Sequence, residues 1–150
     1  MVSGVSPLRA MPKSDSADCR RLIVHTVTEV SGIADQLSAD LALAGFAERD
    51  IFGLRLAIEE ALVNGIKHGN RADPSKEVRM QYRITAEQIV VEIEDDGPGF
   101  NPEDLPDPCA VENLERCCGR GVFLIRHYMT WVQYSERGNA VTMCKRRTTA

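Results

Sequence analysis

Asp50 to Gly69 reads DIFGLRLAIEEALVNGIKHG. Ile51, Leu54, Ile58, Ala61, Leu62 and Ile66 recur at helical spacing and make one apolar stripe. Asp50 is placed to cap the start of this helix and Gly69 to end it. Glu60 and Asn64 lie four apart and stack on one face, with Lys67 or His68 a turn further on. Solvated polarity accounts for most of that face, since a core-facing helix turns its polar side outward. It does not account for Asn64. Asparagine competes for backbone groups and is a weak helix former, so in mid-helix it needs a reason.

The flanking sequence supplies the other elements. Leu22, Ile23 and Val24 form a short β-branched run that predicts a first strand. From about Glu29 to Ala44, Val30, Ile33, Leu37, Leu41 and Ala44 predict a helix. After a polar loop from Asn70 to Lys76, Val78, Met80, Tyr82 and Ile84 alternate. Ile89, Val91 and Ile93 alternate again beyond a turn at Ala86 and Glu87, which predicts a hairpin. That second strand runs into IEDDGPGF (Ile93 to Phe100), where the adjacent acids Asp95 and Asp96 meet Gly-Pro-Gly. Taken alone, the turn is ordinary punctuation with solvated carboxylates.

Residues 97 to 119 read as a loop with four prolines, long enough inside a compact domain to cover something. GRGVFLIRHYM (Gly119 to Met129) then opens an amphipathic helix behind two glycines. Trp131 to Ser135 and Ala140 to Lys145 close a last hairpin around Arg137, Gly138 and Asn139. The order β, α, α, ββ, loop, α, ββ predicts an α+β, two-layer α/β sandwich: a mostly antiparallel mixed sheet with helices on one face.

The 150 residues suit one domain, and 43% hydrophobic with 27% charged residues is a globular balance. A net charge of −4 argues against direct nucleic-acid binding, whose footprint is basic. No apolar run approaches the roughly 20 residues of a membrane span. Residues 1 to 20 lack an apolar core of a signal peptide and read as a flexible tail, so a cytoplasmic protein is expected. Five cysteines, an odd number, then default to free thiols. Cys109, Cys117, Cys118 and His127 have no CxxC pair among them, and the adjacent pair suits one tetrahedral zinc poorly.

Three separated segments now look like parts of one site. Glu60 and Asn64 offer a carboxylate and an amide oxygen on one helix face. The turn from Asp95 to Gly99 follows a buried strand. Gly119, Arg120 and Gly121 sit where a helix begins, a place that favours phosphate. This order resembles the GHKL ATPase superfamily, with its Bergerat or histidine-kinase-like ATPase fold. EEALVNGIKHG looks like the N box, DDGPGF the first glycine box and GRGVFLI the second, so the domain is expected over residues 21 to 147. The N-box wording and the closing ERGNAVTMCKRR are most similar to the anti-sigma factor serine/threonine-protein kinase branch.

The resemblance implies roles residue by residue. Asn64 would ligate Mg²⁺, and Glu60 would be the base that takes a proton from a partner's Ser or Thr. Glu59 points about 100° away and should not share that role. Lys67 or His68 would reach a phosphate of ATP. Asp95 would accept the adenine amino group, with Gly97 and Gly99 clearing space for base and ribose. Gly119, Arg120 and Gly121 would face the phosphates. Relatives often carry a basic residue just before the second glycine box, where this chain has Cys117 and Cys118; Arg116 or Arg120 stands one or two positions away. The expected partners are a sigma factor, an anti-sigma-factor antagonist as phosphorylation substrate, and a second copy in a homodimer. A non-catalytic ATP-binding sequestering module is the alternative. A detached histidine-kinase catalytic domain is a weaker one, because no helix pair carries a phosphoacceptor histidine.

Overall fold

A computed structural model of the chain describes residues 19–98 and 125–148. Strand β1 (Cys19–Val24) leads through a 3-10 turn (Val27–Glu29) into helix α1 (Val30–Leu43), and α2 (Glu48–Asn64) follows. A π-helical turn (Gly65–Gly69) extends α2, and β2 (Val78–Ile84) and β3 (Gln88–Glu94) form the first hairpin. Residues 125–128 are helical and lead into the closing hairpin of β4 (Trp131–Tyr134) and β5 (Ala140–Arg146). The five strands lie in the order β1-β2-β3-β5-β4, and every neighbouring pair is antiparallel. The predicted α+β layering is present, and β1 extends three residues ahead of its predicted start at Leu22.

One sheet face carries the main core. Val78, Met80 and Tyr82 from β2, with Ile89, Val91 and Ile93 from β3, pack against Leu37, Leu41, Leu54, Ile58 and Leu62 of the two helices. The opposite face of β3 is also buried. Val90 is buried there with Cys144, with a partly buried Trp131 packed against them, and the buried Glu92 accepts a hydrogen bond from Gln81 Nε2 at 2.7 Å. Tyr82 fastens the layers by donating to Asp40 Oδ2 on α1 at 2.6 Å, an oxygen that Arg20 of β1 also meets at 2.9 Å.

Asp50 does not cap α2. The helix starts two residues earlier, with Ala47 at its N-cap, and Asp50 sits buried in the first turn. Its carboxylate instead receives the Thr148 N–H at 2.8 Å and the Thr148 hydroxyl at 2.5 Å. A tertiary partner nearly a hundred residues away cannot be read from local capping rules. Gly53, one turn further along, is buried against the Tyr128 ring, which a methyl group there would meet at 2.8 Å. Thus α2 is positioned by the sheet beneath it and by the segment that precedes β4. Among the described residues no helix is long and apolar enough to cross a membrane.

Candidate functional site

The face of α2 that held Glu60 and Asn64 in sequence separates its two adjacent acids. Glu59 Oε1 meets Arg55 Nε at 3.3 Å, and the same guanidinium reaches Asp35 of α1 at 2.6 Å. Glu59 therefore belongs to the seam between the helices. Glu60 leaves the helix about 100° further round. It is partly buried, and neither its side chain nor that of Asn64 has a hydrogen-bond partner among the described residues. Lys67 and His68 are exposed on the π-helical turn. Such turns are rare and frequently occur at functional sites, and they change the angular position of the residues that follow.

That reset brings the end of α2 against the turn after β3. Asp95 packs over Gly65 and Gly69: a methyl group on Gly69 would overlap the Asp95 carboxyl, and one on Gly65 would lie 3.6 Å from Asp95 Cβ. Asp95 Oδ1 accepts the Gly97 N–H at 2.7 Å, which leaves Oδ2 without a partner among the described residues. Burial pushes the Asp95 carboxyl above its ordinary value; the Gly97 N–H opposes this, and the neighbouring Asp96 charge adds to it. Gly97 itself is buried, and a side chain on it would strike the Gly69 carbonyl. The protein's own backbone therefore already demands glycine at 97, apart from any need to clear room for a ligand.

Asp96 does different work. It accepts from the Glu77 N–H at 3.0 Å and from Arg79 Nη1 at 2.7 Å, and these partners hold its carboxyl below the ordinary range. So the acid pair consists of one carboxylate, with an oxygen that has no partner among the described residues, at a glycine-lined seat and one tied into the surface. The structure places Asp95 and Gly97, both expected from the sequence at the site, against Gly65, Gly69 and Asn70, to which the sequence assigns no individual site role. Glycine within a helical pattern, which costs about 1 kcal/mol against alanine, was the available signal for Gly65. The sequence places Asn70 in a polar loop, yet it is buried and accepts the Asp96 N–H at 2.8 Å through its side chain. Gly99, Gly119, Arg120, Gly121 and the cysteines at 109, 117 and 118 lie outside the described residues.

Chemically, a half-buried carboxylate beside bare backbone suits a flat ligand that donates one hydrogen bond. The single amide oxygen of Asn64 suits a hard cation that keeps most of its waters and takes its other ligands from phosphate. Among the described residues no group of three or more His, Cys, Asp or Glu side chains is gathered for a metal, so no all-protein cage competes with that arrangement.

A family model described as a histidine kinase-like ATPase domain matches residues 23–145. The chain is 33% identical over 116 residues to serine-protein kinase RsbW of Listeria innocua, a match covering 73% of this chain and 74% of that protein. It is 30% identical over 119 residues to anti-sigma F factor of Clostridium perfringens, covering 75% and 84%. The chain belongs to the histidine kinase-like (GHKL) ATPase family, in its anti-sigma kinase branch.

Proposed function

We propose that the chain, through a domain spanning residues 21 to 147, is an ATP-dependent serine/threonine-protein kinase that binds a sigma factor and phosphorylates an anti-sigma-factor antagonist. The names of its relatives, a serine-protein kinase and an anti-sigma F factor, support the class. The observation that carries the reading is the division on α2: Glu59 is engaged by Arg55, while Glu60 and Asn64 are unpaired among the described residues. A module that only sequesters a partner needs no spare carboxylate one turn from an amide oxygen.

Bound ATP and Mg²⁺ would supply the phosphoryl group and the charge that neutralises it. Asp95 accepts the adenine amino group with its free oxygen, and Gly69 and Gly97 keep side chains from that edge. Asn64 offers its amide oxygen to Mg²⁺. Glu60 orients the acceptor hydroxyl and takes its proton. Lys67 or His68, with Gly119, Arg120 and Gly121, meets the phosphates, and Gly99 lies beside the ribose. The working unit is a homodimer in the cytoplasm. Incubating the protein and its cognate antagonist with radiolabelled ATP tests the reading: label should appear on an antagonist Ser or Thr, and its absence with every candidate antagonist would leave the sequestering module as the better account.

A further inference from the structure

Asn70 is 2% exposed and sits where the π-helical turn ends. Its N–H donates to Gly65 O at 2.8 Å, and its side-chain oxygen accepts the Asp96 N–H at 2.8 Å. The chain then reverses at once. Arg71 and Ala72 both adopt left-handed backbone, with φ of 53° and 59°, and the Ala72 N–H returns to Ile66 O at 2.7 Å. Two successive non-glycine residues in that region are uncommon and carry a strain cost. The reversal leaves the Asn70 side chain in the interface between helix end and sheet end.

The Asp95 turn is gripped from two sides. On the sheet side the Asp95 N–H donates to Asn139 O at 2.9 Å, and Asn139 Nδ2 donates to Asp95 O at 3.3 Å. On the helix side the contacts are the Asn70 hydrogen bond and the close fit of Gly97 on Gly69. The peptide that Asn70 holds lies between Asp95 and the Gly97 N–H that fixes Asp95 Oδ1. We infer that Asn70 is a positioning residue for nucleotide selection: its buried amide oxygen holds the Asp95 turn so that the free carboxylate oxygen stays aimed at the base. This rests on the reading of Asp95 as the acceptor for the adenine amino group.

The test compares ATP with purine riboside triphosphate, which has hydrogen in place of the amino group, by isothermal titration calorimetry. Wild type should prefer ATP about 10- to 100-fold, as one hydrogen bond to a charged group allows. Asn70→Ala should reduce that preference to about threefold or less, chiefly by weakening ATP, because the lost grip acts on the amino contact. Asn70→Asp keeps an acceptor for the Asp96 N–H but buries a further acid beside Asp95 and Asp96, so it should bind both nucleotides more weakly while keeping more of the preference than Asn70→Ala. Asn70→Ser carries the same readout if Asn70→Ala does not fold. Equal weakening of both nucleotides, with the preference intact, would overturn the inference and make Asn70 a purely structural residue. A wild type that binds the two nucleotides alike would instead overturn the adenine contact of Asp95, and the role of Asn70 with it.

Discussion

In two adjacent pairs of acids, Glu59 with Glu60 and Asp95 with Asp96, burial and partners give the two residues different work. Glu59 is tied to Arg55 and Asp96 to Arg79, while Glu60 and Asp95 each keep an oxygen unpaired among the described residues. Glu60→Gln keeps shape and reach but removes the base. Phosphate transfer to the antagonist should then fall about 10²- to 10⁴-fold with ATP affinity nearly unchanged. Glu59→Gln, which loses only a surface ion pair, should transfer almost normally. Parallel measurement of label incorporation and ATP affinity decides it, and wild-type transfer by Glu60→Gln would place the base elsewhere. At the second pair, Asp95→Asn should weaken ATP about 10- to 100-fold. Asp96→Asn should cost less, since its side chain is turned to Glu77 and Arg79. Asp95 was legible because an acid followed by Gly-Pro-Gly after an apolar strand is a spaced signal. Asn70 was not, because a buried asparagine and a loop asparagine look alike until the chain is folded.

Elements were easier to read than their ends. The 3.6-residue stripe of α2 and the alternation of β2 and β3 are repeated signals, so each survives an uninformative position. The end of α2 rests on single residues. Gly69 was expected to stop a regular helix, and it instead closes a five-residue π-helical turn that carries Gly65 and Gly69 under Asp95. Helix α2 therefore presents Asn64 just before the point where its winding changes. If that placement serves a metal, Asn64→Ala removes a protein oxygen and leaves phosphate charge less well neutralised. ATP titrations with and without Mg²⁺ should show the wild-type enhancement largely lost in Asn64→Ala. Its full retention would move the metal ligand off α2.

At the scale of the whole molecule, the end of β5 and the residues after it tie together segments that are remote in sequence. Arg147 donates to Ala44 O at the end of α1 and lies over the Phe46 ring at 4.6 Å, while its N–H reaches Glu87 O at 2.8 Å. Lys145 Nζ donates to Tyr128 O at 2.9 Å and lies 4.0 Å from Asp50, whose carboxylate holds Thr148. This strap fixes the start of α2, the helix that carries Glu60 and Asn64 further along. Burial pushes the Asp50 carboxyl up, but the Thr148 hydroxyl and N–H, with the Lys145 and Arg49 charges, outweigh it and hold it below its ordinary 3.8. The folded state therefore binds the Asp50 proton less readily than the unfolded chain. The contribution to stability is complete above the unfolded value and is lost as pH falls through the lowered folded one. Hydrogen bonds to a charged group are worth about 1.5–3 kcal/mol, so Asp50→Asn should lower unfolding free energy by about 2 kcal/mol at pH 7. Urea unfolding of both proteins at pH 7, and again at the lowest pH where both stay folded, should give a gap that narrows with acid. A gap that is the same at both pH values would assign the loss to packing around Thr148 rather than to the charge on Asp50.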